Sequence, residues 1–223
     1  MAGTVEHLAI AWELSQRLDI ENIGLFIAGN VCPDGIMARE NYQRPMKMHT
    51  HFRDGIPDYE FSKPEHLELF HQRIRKFVEK YYKSAGTEKD LYLGYLTHIL
   101  ADEIFMLTIR SEFMERMKGK GLTDRDMKTF EYFTYDVNQI DYRLAKEYSG
   151  MNQVLQILKS VEPYEIRDMI TKEELTKSRE WILDFFFNHA PEWKDPIYYT
   201  YNRALDFICE AVEIIEYRVK EYI

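Results

Sequence analysis

Helix-capping signals recur along this chain and constrain its fold more than any other feature. Four segments place a serine or threonine three residues before an acidic residue, which is the pattern of an N-terminal capping box. They begin at Ser62, Thr87, Thr123 and Thr171. Apolar residues follow these caps at the spacing of one helix face, as over residues 93–107. The sequence therefore predicts amphipathic helices that pack as a bundle.

The same patterns predict the extent of the helices. They are expected over residues 4–19, 63–84, 88–118, 124–148, 152–160, 172–189 and 199–221. No run of alternating apolar and polar residues competes with them, and no linker rich in Gly, Ser or Pro divides the chain. We therefore predict one all-α domain, a multi-helix bundle, over residues 1–223.

Composition narrows the class of protein. A chain of 223 residues with 45% hydrophobic residues can bury a core without disulfides or structural metal. Its formal charge of −9 argues against nucleic acid or an anionic membrane as the main partner. Two cysteines without CxxC spacing fit a reducing compartment. With neither a signal-peptide pattern nor an apolar run of spanning length, we expect a cytoplasmic protein without a transmembrane segment.

A histidine and an aspartate stand four residues apart in an apolar helical segment. At this spacing the side chains of His98 and Asp102 project from the same face and can grip one ion. An ionised aspartate in apolar surroundings is costly unless a cation or hydrogen-bond donors compensate it. The alternative is a His–Asp hydrogen-bonded pair near the surface, so this pair alone decides little.

Residues 29–52 are predicted to form a long segment without regular secondary structure. A tight turn at Pro33-Asp34-Gly35 would present the carboxylate of Asp34. His49 and His51 stand two residues apart, so in an extended segment both could point inward, or only one could. The alternative is an ordinary polar loop with solvated histidines. His7 lies in the first predicted helix. A lone histidine at such a position is more often a core or surface residue than a metal ligand.

Two sequence blocks resemble a known family. His49-Thr50-His51-Phe52-Arg53-Asp54 is similar to a Thr-His-Phe-x-Asp segment, and residues 92–102 are similar to a Tyr-Leu-Gly-x-x-x-His-x-x-x-Asp helix. Both are features of the zinc-dependent phospholipase C family, which is distantly related to the P1-type nucleases. The resemblance implies an all-α bundle of the phospholipase C and P1 nuclease type, with clustered zinc ions.

The resemblance also implies a ligand set within residues 7–102. Asp34, His51, His98 and Asp102 would hold one metal ion, and His7 with the shared carboxylate of Asp102 would reach a second. The cofactor would be one or two Zn²⁺ ions, with iron and manganese as alternatives. A metal-activated water would attack phosphorus, with Asp34 as a possible proton acceptor.

Three residues near these ligands are candidates for supporting roles. His49 would support the ligands or face the substrate, and Lys47 or Arg53 would neutralise a phosphate.

The chain departs from the family after Asp102. Residues 103–108 replace a Pro-Met-His segment, and no histidine lies between His98 and His189. Asp136 and Asp141 are candidate replacement ligands, because their predicted helix can pack against the helix that carries His98. The alternative is that both are exposed helix carboxylates without a metal.

Two functions follow from these residues. The first is a metal-dependent phosphoester hydrolase that acts on a small phosphoester or a phospholipid headgroup. The second is a non-catalytic helical protein that retains a structural metal site, or none, and acts through protein interactions. The sequence leaves the substrate, the metal and the oligomeric state open.

Overall fold

The computed structural model describes residues 1–162, 164–189 and 191–223, and these contain ten α-helices. The helices are α1 (Thr4–Ser15), α2 (Ile23–Gly35), α3 (Arg44–Thr50), α4 (Pro64–Phe77), α5 (Lys89–Leu107), α6 (Ile109–Lys118), α7 (Met127–Glu147), α8 (Met151–Ser160), α9 (Lys172–Ile182) and α10 (Tyr201–Tyr222). In the described part of the chain, β structure is limited to an isolated bridge between Ile166 and Ile170. The predicted all-α class is therefore confirmed.

Helix α5 is the centre of the bundle. Every residue from Asp90 to Met106 is buried, so this helix has no solvent face. It packs most closely on α2, and glycines allow this approach. A Cβ atom at Gly29 would lie 2.0 Å from the carbonyl oxygen of Leu91, and one at Gly94 would lie 2.0 Å from that of Phe26. The two backbones therefore meet directly, which brings the polar residues of α2 beside those of α5.

The remaining helices surround this pair. Helix α1 packs against α2, α5, α7 and α10, and α8 and α9 cover α2. One hydrophobic core runs through these helices. None of the described helices combines the length and the apolar character that a bilayer crossing requires.

Most predicted helices are present with shifted ends. The predicted helix 88–118 is two helices, because the backbone turns at Thr108, where φ is −111° and ψ is −82°. The predicted helices 63–84 and 172–189 each end in a π-helical segment, Val78–Tyr82 and Leu183–Asn188. Of the four capping boxes, the one at Thr171 has both reciprocal hydrogen bonds.

The prediction that residues 29–52 are irregular is wrong. Residues 23–35 form α2, with Pro33 inside the helix, and residues 44–50 form α3. Helix α2 is buried around most of its circumference from Phe26 to Cys32, so its sequence carries no amphipathic pattern. Burial against α5 therefore stabilises a helix that Pro33 and the glycines disfavour locally.

Candidate metal centre

Four elements bring five predicted ligands together. Helix α1 carries His7, the last turn of α2 carries Asp34, and α5 carries His98 and Asp102. His51 is the residue that ends α3. The three histidines are each 1% exposed and Asp102 is 4% exposed, while the side chain of Asp34 is 14% exposed. The cluster is thus buried, with Asp34 at its more open side.

The ligand atoms of four of these residues lie close to one another. His51 Nε2 is 3.2 Å from Asp34 Oδ1 and 3.5 Å from Asp102 Oδ2. His98 Nε2 is 3.2 Å from His51 Nε2 and 3.8 Å from Asp102 Oδ2. Ligand atoms about 2.0–2.1 Å from a tetrahedral zinc ion are about 3.3 Å from one another. These separations place Asp34, His51 and His98 within reach of one ion. Asp102 joins His7 and His98 in a second group of ligand atoms.

Backbone carbonyls orient both imidazoles. His51 Nδ1 lies 2.8 Å from the carbonyl oxygen of Lys47, and His98 Nδ1 lies 2.7 Å from that of Asn30. A carbonyl oxygen only accepts hydrogen bonds, so each Nδ1 carries the proton and each neutral ring has its lone pair on Nε2. Two lone pairs then face each other across 3.2 Å, which is unfavourable unless a metal ion or a proton lies between them.

His7 extends the cluster on the other side of Asp102. Its Nε2 is 3.3 Å from Asp102 Oδ1, which also accepts a hydrogen bond from the backbone N–H of Ala2 at 3.0 Å. The imidazole ring stacks on that of His98, with centroids 3.7 Å apart. Neither ring nitrogen of His7 has a hydrogen-bond partner among the described residues. Asp102 therefore presents one oxygen to His51 and His98 and the other to His7.

The protonation states suit metal binding. Burial lowers the pKa of His51, and burial together with the neighbouring His7 holds the pKa of His98 well below its usual value. Burial alone would raise the pKa of Asp34, but Lys47 and His51 outweigh it and hold that pKa well below the ordinary value. Burial would likewise raise the pKa of Asp102, but His7, the N-terminal ammonium and His98 together hold it well below its ordinary value. These directions favour neutral rings at His51 and His98 and ionised carboxylates at Asp34 and Asp102.

One of the three predicted supporting residues contacts the cluster. Lys47 Nζ is 2.6 Å from Asp34 Oδ1. His49 points to solvent and pairs with Asp54, since two residues along a helix turn a side chain to nearly the opposite face. Of the two alternatives left open by the sequence, His51 alone faces the cluster, and the segment is helical rather than extended.

Arg53, the third of these candidates, is engaged elsewhere. Its guanidinium donates to Asp58 at 2.6 Å and lies 4.7 Å from the ring centroid of Phe61. The side chain is 2% exposed, so the guanidinium is held inside the protein by these two partners. Its placement favours a structural role over contact with a substrate phosphate.

The two speculative ligands on α7 anchor backbone instead. Asp136 accepts hydrogen bonds from the backbone N–H groups of Ile197, Tyr198 and Tyr199. Both aspartates are buried, contrary to the alternative that they are exposed.

Asp141 occupies the N-terminal end of α1. Its Oδ1 accepts from the N–H groups of Val5 and Glu6, each at 3.1 Å. The groups of described residues whose ligand atoms lie within 4.8 Å of one another are His7–His98–Asp102 and Asp34–His51–His98. The structure thus brings neither Asp136 nor Asp141 into the cluster.

Sequence reasoning missed Asn30, whose carbonyl orients His98. The signal was its position four residues before Asp34, which places both on one face if the segment is helical. The interpretation of Pro33-Asp34-Gly35 as a turn concealed this spacing.

The donor set fits a transition metal. Two neutral imidazole nitrogens and two carboxylates are a set that suits zinc, and iron and manganese accept the same donors. The two carboxylates give the cluster a charge of about −2, of which the ammonium of Lys47 offsets one unit at Asp34. A bound divalent cation would balance the two carboxylates and leave the cluster with the single positive charge of Lys47.

Comparisons of this chain with protein-family models, with curated proteins and with solved structures found no match. The resemblance to the zinc-dependent phospholipases C therefore depends on residues 49–54 and 92–102, and the case for a metal centre depends on the geometry of the cluster.

Proposed function

We propose that this protein is a metal-dependent phosphoester hydrolase with a helical bundle of the phospholipase C and P1 nuclease type. One observation carries the proposal. The Nε2 atoms of His51 and His98, both oriented by backbone carbonyls, meet 3.2 Å apart beside two carboxylates in a buried cluster. Such an arrangement is costly without a cation and suited to one.

The residues that would hold the ion follow from this geometry. Asp34, His51, His98 and Asp102 would hold the first ion, and His7 with Asp102 would hold a second. Zinc is the cofactor that we propose, with iron and manganese as alternatives. The ion would act as a Lewis acid toward a phosphoryl oxygen and would lower the pKa of a bound water toward neutrality.

The chain's own residues would bind and orient the ester. Asp34 is ionised, and its side chain is less buried than those of the other ligands, so its carboxylate is placed to accept a proton from a water. Lys47, already 2.6 Å from that carboxylate, would neutralise one oxygen of the phosphate. The backbone carbonyl of the same lysine orients His51, so α3 would position a ligand and a phosphate contact together.

A substrate screen tests the proposal. Protein reconstituted with Zn²⁺, Mn²⁺ or Fe²⁺ is assayed with bis(p-nitrophenyl) phosphate, a small phosphomonoester and a phospholipid headgroup ester. We expect turnover that a chelator abolishes and that Asp34→Asn lowers by about 100-fold or more, in the range of lost acid–base catalysis. Lys47→Ala, which removes the proposed phosphate contact, should also lower turnover, while Lys76→Ala, which removes an exposed lysine of α4, should not. Turnover that survives chelation would contradict the proposal.

A second function has one observation in its favour. The space beside the cluster is about 10 Å³, which is at the lower limit for one water. A structural ion in a closed site would stabilise the fold without turnover, and the protein would act through protein interactions. In that case metal removal lowers Tm, and no phosphoester in the screen is hydrolysed.

A further inference from the structure

Helix α9 closes the open side of the cluster. The space of about 10 Å³ beside the metal centre is lined by His7, Asp34 and His98 on one side. Met37, Ser178 and Trp181 line it on the other. About one water fits in such a volume. An ester bound at Asp34 through this opening would place its alcohol group beside Met37 and α9.

The position of α9 is held by residues that follow Asp34 directly. A Cβ atom at Gly35 would lie 2.4 Å from Leu175 Cδ2, so α9 touches the end of α2. Arg39 donates to the carboxylate of Glu174, at 2.5 Å from Nε, and to the carbonyl oxygen of Met169 at 2.9 Å. These contacts fix the first turn of α9 against the segment that carries the ligand.

The far end of α9 carries an exposed aromatic ring. Trp181 is 46% exposed and Met37 is 39% exposed, so both present apolar surface to solvent at this edge of the cluster. The indole ring is parallel to that of Phe185, with centroids 5.1 Å apart. Helix α9 ends one residue later, and a π-helical segment begins at Leu183, an irregularity that is frequent at functional sites.

We propose that Trp181 and Met37 form the binding wall for the alcohol group of the phosphoester, and that the preferred substrate carries an apolar, aromatic alcohol. This inference depends on the proposed hydrolase function and adds the class of substrate. An aromatic group would stack on the indole and contact the thioether of Met37. Ser178, the polar residue at this edge, would donate one hydrogen bond to the ester.

Binding of two phosphonates tests the wall without turnover. Phenylphosphonate and methylphosphonate share the phosphoryl group and differ in the apolar group. The ratio of their Kd values therefore measures how much contact between the apolar group and the binding wall contributes to affinity. Isothermal titration calorimetry is carried out on zinc-loaded full-length protein. We expect wild type to bind phenylphosphonate at least about 10-fold more tightly, since stacking on one aromatic side chain supplies about that factor.

Three variants identify the residue responsible. Trp181→Ala should reduce the preference to about 3-fold or less, while Trp181→Phe should retain most of it. Trp193→Ala is the matched control, because this second tryptophan lies near Arg143 and Lys146 of α7 rather than at the cluster. Zinc content should stay at the wild-type value in all three variants, because neither Trp181 nor Trp193 is a proposed metal ligand.

Each outcome separates the two proposals. Loss of the preference in Trp181→Ala alone supports the wall. A wild type that binds both phosphonates equally, or a preference that survives Trp181→Ala, overturns it and leaves the hydrolase proposal intact. Failure of zinc-loaded protein to bind either phosphonate overturns both.

Discussion

The Nε2 atoms of His51 and His98 lie 3.2 Å apart, although the two residues are 47 positions apart in the chain. Each ring is held by a carbonyl oxygen of a different helix, that of Lys47 in α3 and that of Asn30 in α2. Two hydrogen bonds thus direct two lone pairs to one point. The packing of α2 on α5 and the end of α3 produce this arrangement together.

Removing the imidazole of His51 should weaken metal binding, while removing that of His49 should not. We expect His51→Ala to lower metal affinity at least about 100-fold, because Nε2 of His51 faces three other ligand atoms. His49→Ala should bind metal as wild type does, since His49 points to solvent beside Asp54. Competition with a coloured chelator measures both affinities. Equal losses in the two variants would contradict the assignment of His51.

A methyl group between α2 and α5 should disturb both the fold and the centre. Gly94→Ala would place a Cβ atom 2.0 Å from the carbonyl oxygen of Phe26, so the helices must separate. We expect the free energy of unfolding to fall by about 2–4 kcal/mol. Because His98 is oriented by Asn30 across the same contact, metal affinity should fall as well.

Urea unfolding and chelator competition measure the two effects of Gly94→Ala. Gly119→Ala is the control, since a Cβ atom there would lie 3.4 Å from its nearest neighbour. A stable Gly94→Ala variant with wild-type affinity would show that the close approach of α2 and α5 does not position the site.

Asp136 should contribute to stability and not to metal binding. Its carboxylate accepts backbone N–H groups from Ile197, Tyr198 and Tyr199 at 2.6, 2.7 and 2.9 Å. Asp136→Ala leaves three donors without this acceptor, so we expect a loss of about 3–5 kcal/mol in unfolding free energy. The zinc content of the folded fraction should be unchanged. If Asp136→Ala lost zinc but kept the stability of wild type, Asp136 would have to be a metal ligand.

The pH dependence of stability should contain a contribution from Asp141. Burial and, second, the neighbouring carboxylate of Glu6 raise the pKa of Asp141 well above its ordinary value. The backbone N–H donors of α1 lower this pKa, but their effect is smaller. The folded state therefore binds this proton more tightly than the unfolded state does. This stabilisation is complete below the unfolded pKa of about 4 and is lost as pH rises through the folded pKa.

Asp141→Asn removes the titratable carboxyl group. The asparagine side chain keeps an oxygen that can accept hydrogen bonds from the N–H groups of Val5 and Glu6. The groups near Asp141 that also titrate are Glu6 and Tyr199, whose hydroxyl donates to Glu6. We expect the free energy of unfolding of wild type, relative to the variant, to decrease from pH 4 to pH 8. Urea titrations at four pH values measure it. A difference that increases with pH would mean that Asp141 is ionised throughout.

The sequence predicted the helical class because helix signals are local. Capping patterns and 3.6-residue periodicity belong to single segments, and most of the predicted helices are present. Helix α2 was missed because it is buried on most sides and contains Pro33, so neither periodicity nor propensity marks it. Its existence depends on contacts with α5, which a local pattern does not contain.

The candidate site shows the same division. The spacing of His98 and Asp102 indicated a shared face because both belong to one helix. The choice between His49 and His51 required the course of α3. The roles of Asp136 and Asp141 required the distant segments whose N–H groups donate hydrogen bonds to them. Trp181 could not be connected to the cluster from its own sequence neighbourhood, since only the packing of α9 on α2 places it there.

Elemental analysis tests the central claim most directly. Protein purified without a metal-affinity tag is measured as wild type and as His98→Ala and Asp102→Ala, with His49→Ala as the control. We predict near-stoichiometric zinc, iron or manganese in wild type and His49→Ala, and its loss in the two ligand variants. Folded wild-type protein that contains no metal, even after incubation with each ion, would contradict the metal centre and with it the proposed hydrolase.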